Sequence, residues 1–335
     1  MVEQNSLKVS VILVTYKEKE LQQCLQSLSK ETLPIEVFVV VNGASDDTIN
    51  ILERSRIPVR TIFNKQNMGL AYANNQPLTM CTGQYVLILN PDTNVKDGAI
   101  SAMVAYMEKH VNIGVVGPKI LSSDGSIERS FLQNWNLITS VAWGWITLRL
   151  PKSLTQRYRI TTIPDTQNVL LVSGACLMIR KQLYLDLGGY DSNFFLSLDD
   201  VADLCLRVRS AGYQVAYYPA AEVVHAGGRG HKNVTNIFWN YQGHLYYAAK
   251  YFTNSATLLL RVELFIDSLI GTTLSVVIIG VNGLLRRRGD RRRLKAFSFA
   301  ASKLLVEPIN HLYGDGLYLT RILINDETND YQPSS

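Results

Sequence analysis

Cysteine is scarce in this chain: only four occur among 335 residues, and they lie far apart. None belongs to a Cys-x-x-Cys pair or stands beside a histidine, which argues against a zinc site and a redox motif. The spacing instead predicts reduced, mostly buried thiols in a cytoplasmic protein. The four residues are Cys24, Cys81, Cys176 and Cys205.

The first residues lack the features of an export signal. Residues 1–6 contain neither a basic stretch nor an apolar run, and a strand-like sequence begins soon afterwards. We therefore expect that the protein is not exported. Charged residues make up 18% of the chain and hydrophobic residues 47%, which is ordinary for a globular protein and excludes disorder as the general state.

Positive charge is concentrated in one segment. The formal net charge is +5, but residues 286–295 hold seven basic residues and one acidic residue, which leaves the remainder of the chain at −1. Because the body is nearly neutral and contains no recognisable nucleic-acid motif, we expect no nucleic-acid partner.

Short apolar runs alternate with helical patterns over the first ninety residues. Four of the runs are rich in β-branched or aromatic residues and end in polar clusters, at residues 9–15, 35–41, 58–63 and 85–89. This alternation predicts a doubly wound α/β sheet with right-handed crossovers. Such a sheet brings the carboxyl ends of its strands to one rim, where ligands bind.

The fourth run ends in Asn90-Pro91-Asp92-Thr93. This sequence is good turn chemistry. It also presents a carboxylate at the end of a buried strand, a position that suits Mg²⁺ or Mn²⁺ on a diphosphate. On these four residues alone, both interpretations stay open.

Six short motifs follow one another in the order found in a known family. They are Val-Ile-Leu-Val-Thr-Tyr (11–16), Asn-x-x-Asn-x-Gly-x-x-x-x-x-Asn (64–75), Leu-Asn-Pro-Asp-Thr (89–93), Val-Ser-Gly-Ala-Cys (172–176), Gly-Gly-Tyr-Asp (188–191) and Leu-Cys-Leu-Arg (204–207). With this order the chain resembles the family 2 inverting glycosyltransferases of the GT-A fold, most closely their bacterial rhamnosyltransferase-like branch.

The resemblance covers about residues 7–250 and implies a fold. We expect a Rossmann-like α/β catalytic domain over residues 1–250, with a mostly parallel central sheet and helices on both faces. The nucleotide-sugar half would occupy about residues 1–125 and the acceptor half about residues 126–250. Residues 251–335 would form a C-terminal helical extension.

The resemblance also implies a donor site. Asp92 resembles the last carboxylate of the family's Asp-x-Asp metal motif, with Asn90 at the position of the first, and His225 matches a histidine that contacts the metal or the diphosphate. The implied cofactor is Mg²⁺ or Mn²⁺. Residues implied to bind the nucleotide sugar are Thr15, Tyr16, Asn42, Asn67, Gly69, Asn75, Asn90, Asp92 and Arg229.

The chain departs from the family pattern in two segments. The family usually has an Asp that accepts the pyrimidine N3–H, whereas Val41 or Asn42 occupies that position here, depending on the placement of a gap. An Asn carbonyl can accept the same bond.

The segment that should supply the catalytic base is one residue longer than usual and contains Asp199, Asp200 and Asp203. We expect Asp200 to be the base and Asp199 to shape the acceptor pocket, although carboxylates at a helix start also serve as caps.

The tail contains an 18-residue run without charge, residues 268–285, directly before the basic segment. This length is near the lower limit of about 17–25 residues for a membrane span. A span, an interfacial helix and a helix buried against the catalytic domain all stay open. The basic segment fits an anionic membrane surface. We therefore expect a membrane-associating extension and a location on the inner face of the cell membrane.

The resemblance implies an inverting transfer of rhamnose or a related deoxysugar. The donor would be a nucleoside diphosphate sugar with dTDP or UDP, and the acceptor a hydroxyl of a glycan or polyprenyl-linked glycan in cell-surface polysaccharide assembly. Two alternatives are a nucleotide-sugar-binding scaffold with impaired catalysis and a transferase acting directly on a polyprenyl phosphate. A homodimer is compatible with the sequence.

Overall fold

The structure, a computed structural model of the full chain, describes residues 8–16, 20–43, 46–132, 166–197, 199–226, 234–284 and 292–306. Its strands are β1 (Val9–Thr15), β2 (Ile35–Asn42), β3 (Val59–Asn64), β4 (Tyr85–Leu89), β5 (Thr93–Val95), β6 (Ile113–Ser122), β7 (Phe131–Leu132), β8 (Gln167–Asn168), β9 (Leu171–Val172), β10 (Cys176–Arg180) and β11 (Gln214–His225). Its α-helices are α1 (Leu21–Leu28), α2 (Asp46–Glu53), α3 (Leu70–Asn75), α4 (Ala99–Lys109), α5 (Lys181–Asp186), α6 (Asp199–Ser210), α7 (Val234–Tyr251), α8 (Asn254–Leu284) and α9 (Arg292–Val306).

Most strands belong to one mixed sheet with the order β3-β2-β1-β4-β10-β6-β11-β5, and β8 also pairs with β11. The four strands from β3 to β4 are parallel. Strand β10 then runs antiparallel to β4 and to β6, and β11 is parallel to β6. The expected parallel arrangement therefore describes the first half of the sheet, while the second half is mixed.

Strands β1 and β4 are buried because their residues are almost all apolar, whereas the edge strand β3 is partly exposed. All seven residues of β1 and all five of β4 are buried. Helix α1 buries Leu21, Cys24, Leu25 and Leu28 against the core, the spacing of one helical face. All four cysteines are buried free thiols, as the sequence predicted.

The parallel register brings the ends of the first strands to one edge. Thr15 of β1 is aligned with Val41, and Asn42 at the end of β2 is aligned with Asn64 at the end of β3. Leu89, the last residue of β4, is aligned with Leu13. Four of the polar clusters predicted from the sequence therefore follow strands at the same rim.

The chain divides into two compact units. One contains residues 1–191 and 200–227, and the other contains residues 192–199 and 228–335. Helix α7 groups with α8 and α9 in the second unit. In the part of the chain that the structure describes, no helix is long and apolar enough to cross a bilayer.

Candidate active site

Asp92 lies in a turn that directly follows β4. The Thr93 amide donates to the Asn90 carbonyl oxygen at 3.1 Å, and the Asn90 amide donates to the Ala175 carbonyl oxygen at 2.9 Å. Pro91 occupies the second position of this turn, where its fixed φ is favourable. The turn thus holds Asp92 at the rim of the sheet, which confirms the turn interpretation and is compatible with a carboxylate that faces a ligand.

Strand β11 brings His225 to Asp92. The antiparallel pairing of β5 with β11 aligns His225 with Thr93, and the Ala226 amide donates to the Asp92 carbonyl oxygen at 2.9 Å. As a result, Nε2 of His225 lies 3.2 Å from Oδ1 of Asp92. These two predicted metal-site residues are therefore neighbours in the structure.

The other ring nitrogen of His225 contacts Glu128. Nδ1 lies 3.2 Å from Oε2 of Glu128, whose second oxygen accepts a hydrogen bond of 2.7 Å from the Ser122 hydroxyl. Burial lowers the pKa of His225, but its hydrogen bonds to Asp92 and Glu128 outweigh burial and raise the pKa from 6.5 to about 9. At neutral pH without a metal, His225 is therefore an imidazolium between two carboxylates.

The donor set at this rim is chemically compatible with a divalent cation. A carboxylate suits Mg²⁺ or Mn²⁺, and imidazole suits the softer transition metals. Within the described residues, no group of three or more metal-ligating side chains is found. A cation at Asp92 and His225 would therefore need most of its ligands from a bound diphosphate and water.

Asn42 belongs to a network of amides at the ends of β2 and β3. Its Oδ1 accepts from Asn64 Nδ2 at 3.0 Å and from the Met68 amide at 2.9 Å, and its Nδ2 donates to Asn67 Oδ1 at 2.8 Å. Asn67 Oδ1 also accepts from the Gly69 amide at 3.0 Å. The network orders the loop before α3, and the predicted base contact of Asn42 would compete with these bonds.

Thr15 and Tyr16 lie at the end of β1, where the resemblance implies the base and ribose. Thr15 is buried and Tyr16 is partly exposed. The Tyr16 ring lies over Gly43, where a Cβ atom would come within 2.8 Å of the ring. Gly43 also has a φ of 129°, so both space and backbone conformation favour glycine here.

Asn75 is tied to the segment that follows α5. Its Nδ2 donates to the Tyr190 carbonyl oxygen at 2.7 Å, and its Oδ1 accepts from the Tyr190 amide at 2.8 Å and from the Tyr184 hydroxyl at 3.2 Å. A Cβ atom on Gly189 would collide with this amide. In this structure Asn75 therefore joins the end of α3 to the Gly-Gly-Tyr-Asp motif.

Asp200 and Asp203 differ in their surroundings on α6. Asp203 is fully buried and accepts a hydrogen bond of 2.7 Å from Nε of Arg207, which also donates to the Leu187 carbonyl oxygen. Asp200 is also buried, and its Oδ1 accepts from the Val201 amide at 2.6 Å. Asp203 thus has a structural partner at helical spacing on α6, while Asp200 bonds the backbone at the start of the same helix.

Asp199 belongs to the second unit and has a histidine partner there. Its Oδ2 accepts from the Ser197 hydroxyl at 3.0 Å and lies 2.8 Å from Nδ1 of His244 on α7. Burial lowers the pKa of His244, but the charge of Asp199 and the contact between them raise it overall. Gly243 packs against Ser197 and Asp199, where a Cβ atom would not fit.

Sequence reasoning missed Glu128, His244 and Gln76 as partners of the predicted residues. Gln76 exchanges two hydrogen bonds with Asn64, of 2.8 and 2.9 Å. Glu128 and His244 stand in no motif, so no pattern in one sequence distinguished them. Arg229 and residues 285–291 lie outside the described residues.

Comparisons with known proteins identify the family of the chain. The family model described as "Glycosyl transferase family 2" matches residues 10–188. The N-acetylglucosaminyl-diphospho-decaprenol L-rhamnosyltransferase of Mycobacterium tuberculosis is 30% identical over 230 residues, which cover 64% of this chain and 75% of the relative. An amylovoran biosynthesis glycosyltransferase of Erwinia amylovora is 23% identical, covering 63% of this chain and 73% of its own.

A solved structure supports the fold. The mannosyltransferase of Pyrobaculum calidifontis, in complex with GDP-Man and Mn²⁺, has a TM-score of 0.51 and 16% identity, covering 97% of this chain and 88% of that chain. The mixed central sheet with its flanking helices is the GT-A fold, as the resemblance implied. The family model matches more than half of the chain, and this protein therefore belongs to glycosyl transferase family 2 and is a glycosyltransferase.

Proposed function

We propose that this glycosyltransferase moves rhamnose or a related deoxysugar, with inversion, from a dTDP or UDP donor to a glycan hydroxyl. The proposed donor site is based on the contact between Asp92 and His225 at the rim of the sheet. The similarity to a rhamnosyltransferase whose name specifies a lipid-linked N-acetylglucosamine supports a polyprenyl-linked glycan as acceptor.

Asp92 and His225 would hold a divalent cation together with the donor diphosphate. When bound, the cation would neutralise the charge that develops on the nucleoside diphosphate as it leaves. His225 must release its Nε2 proton to become a ligand, and Glu128 would then keep the remaining proton on Nδ1. A carboxylate behind a ligating imidazole orients the ring and makes it more basic.

The nucleotide would lie along the rim formed by the first strands. Thr15 and Tyr16 would contact the base and ribose, beside the loop that Asn42, Asn67 and Gly69 order. Because Asn42 already accepts two hydrogen bonds, base recognition by its carbonyl would require Asn64 or Met68 to give way. Asn75 would act by positioning the Tyr190 segment, and Asn90 by closing the turn that presents Asp92.

Asp200 would accept the proton of the acceptor hydroxyl during the displacement. A single displacement inverts the anomeric centre and needs no nucleophile from the enzyme. Asp199, held by Ser197 and His244, would shape the acceptor side. The protein would work on the inner face of the cell membrane, where the basic segment 286–295 would meet anionic lipid.

The test is transfer by the purified full chain with a set of donors. dTDP-rhamnose, UDP-glucose and GDP-mannose would each be offered with N-acetylglucosaminyl-diphospho-polyprenol, in the presence of Mn²⁺ or of EDTA. We expect metal-dependent transfer from the deoxysugar donor and a product of inverted anomeric configuration by NMR. Transfer from only a different donor would overturn the proposed donor, and a product of retained configuration would overturn the mechanism.

A further inference from the structure

Helix α8 exposes apolar side chains along most of its described length. From Leu258 to Val277, every exposed position except Thr273 is apolar, while the buried side holds Asp267, Ser268 and Ser275 besides Leu260 and Leu264. An ordinary surface helix exposes polar residues on its outward side. The apolar exposure implies that the outward side of α8 meets something less polar than water.

The exposed residues from Leu258 to Val277 form one continuous surface, which we call the α8 stripe; the exposed Asn254 and Ser255 precede it at the start of the helix. At about 100° per residue, all but Leu274 fall within an arc of about 100°, and the stripe is about 28 Å long from first to last residue. The exposed fractions reach 70% at Leu259 and 55% at Val277. Its members are Leu258, Leu259, Val262, Ile266, Leu269, Thr273, Leu274, Val276 and Val277.

The opposite side of α8 is committed to contacts within its own unit. The Tyr241 hydroxyl of α7 donates to Asp267, and Nε of Arg261 donates to the Leu304 carbonyl oxygen of α9 at 2.8 Å. Gly271 packs against the Phe297 ring of α9, where a Cβ atom would not fit. These contacts hold one side of α8 against neighbouring helices, so among its described side chains the stripe is the side that faces outward.

Two observations favour an anionic lipid surface as the partner. The Thr273 hydroxyl, the only polar side-chain group in the stripe, donates to the Leu269 carbonyl oxygen of its own helix. A protein interface normally carries about ten hydrogen bonds among its apolar contacts, whereas the stripe offers a single hydroxyl whose hydrogen is already donated within the helix. The chain then continues into residues 286–295, whose net charge of +6 complements anionic headgroups.

We propose that the α8 stripe is the surface by which the protein lies on an anionic membrane, with its apolar side chains at the boundary between headgroups and acyl chains. This inference rests on the proposed membrane location and deepens it, because it assigns the contact to one side of one helix. Membrane binding through the basic segment alone would be abolished by high salt, whereas membrane binding through the apolar stripe would persist in high salt.

The first test is flotation of the full chain with vesicles of phosphatidylcholine alone or with phosphatidylglycerol. The variant Leu259→Gln/Val262→Gln/Ile266→Gln is compared with Val111→Gln, a control residue that is 76% exposed in the other unit. We expect the triple variant to lose about tenfold or more in binding to the anionic vesicles, with the control unchanged. Equal binding by both variants would overturn the stripe as the contact surface.

A second measurement reports on the stripe itself. Because all four native cysteines are buried, a thiol fluorophore can be attached selectively at Leu269→Cys or, as a control, at Val111→Cys. We expect increased, blue-shifted emission from position 269 alone when anionic vesicles are added. Unchanged emission at 269 would overturn the proposal even if the triple variant were misfolded.

The alternative partner of the stripe is a second copy of the chain, and sedimentation distinguishes such a dimer from a monomer. The proposal would be overturned if the unmodified chain formed a dimer and did not bind vesicles, while the triple variant was a monomer. The stripe would then be an interface between two copies of the chain. Transfer to a water-soluble acceptor is measured in parallel and should be unchanged in the triple variant. Loss of flotation by the triple variant, with transfer intact, would support the membrane contact. Failure of transfer by the unmodified chain would contradict the proposed function and not the membrane contact.

Discussion

His225 and Asp92 face each other across the pairing of β5 with β11, with Nε2 of the histidine 3.2 Å from Oδ1 of the carboxylate. Glu128 contacts the opposite nitrogen of the same ring at 3.2 Å. One imidazole thus joins the turn after β4 to the segment after β6.

Asp92→Asn should weaken the binding of Mn²⁺ together with the nucleoside diphosphate by tenfold or more, because a neutral amide replaces the single carboxylate of the proposed site. The nearby exposed residue Asp97 offers a matched control as Asp97→Asn. Calorimetric titration of both variants with dTDP and UDP, with and without Mn²⁺, measures the effect. Equal affinities in the two variants would remove Asp92 from the metal site.

The metal-free protein should lose stability as the pH rises from about 6.5 to about 9. The folded-state pKa of His225 is raised from 6.5 to about 9, so the charged ring stabilises the fold fully below about pH 6.5 and no longer does so above about pH 9. Because Asp92 and Glu128 are partly exposed, solvent weakens their interaction with the ring. We therefore expect the free energy of unfolding to fall by roughly 2 kcal/mol, which is less than the pKa shift alone would give. Urea unfolding in EDTA at pH 6, 7.5 and 9.5 measures it.

Glu128→Gln supplies the comparison for that experiment, since it removes one of the two charges that raise the pKa of His225. The variant should show a smaller pH-dependent difference in the free energy of unfolding than the unmodified protein. An identical pH dependence would mean that another group titrates in this range.

Asp200→Asn and Asp203→Asn should fail in different ways. The first variant should fold normally and lose a thousandfold or more in the rate of transfer, because it lacks the proposed base. The second leaves Arg207 without its buried counter-charge, at a cost of about 3 kcal/mol in the free energy of unfolding. Transfer rates and urea unfolding of both proteins separate the two roles. A fully active Asp200→Asn protein would remove this residue as the base.

Asn75→Ala should destabilise the protein by about 2–3 kcal/mol, because it removes three hydrogen bonds to Tyr184 and Tyr190. Tyr184→Phe removes only one of them and should cost about 1 kcal/mol. If Asn75 instead contacts the donor directly, its alanine variant would raise the KM for the donor while leaving stability unchanged. Urea unfolding and donor titration of both variants distinguish the two outcomes.

His244→Ala should destabilise the second unit, because Asp199 would remain buried without its charge partner. His244→Gln keeps a hydrogen-bond donor beside Asp199 and should recover part of that stability. If Asp199 shapes the acceptor side, as proposed, both variants should raise the KM for the acceptor more than the KM for the donor. An unchanged acceptor KM in a folded His244→Gln protein would contradict that role.

The sequence by itself determined the family, the series of strands and helices, and Asp92 at the end of β4. These features depend on residues close together in the chain: apolar runs that form buried strands, and a turn sequence directly after one of them. The same local patterns predicted buried thiols and a helical tail, and the structure contains both.

Only the tertiary structure decided which side chains are partners. The contacts of His225 with Asp92 and Glu128, of Asn75 with Tyr190, and of Asp199 with His244 join residues from separate elements. Strand pairing and helix packing create those contacts, and no spacing in the sequence encodes them. The uncharged run in the tail likewise showed that α8 is apolar, but its packing against α7 and α9 determined which side of the helix is exposed.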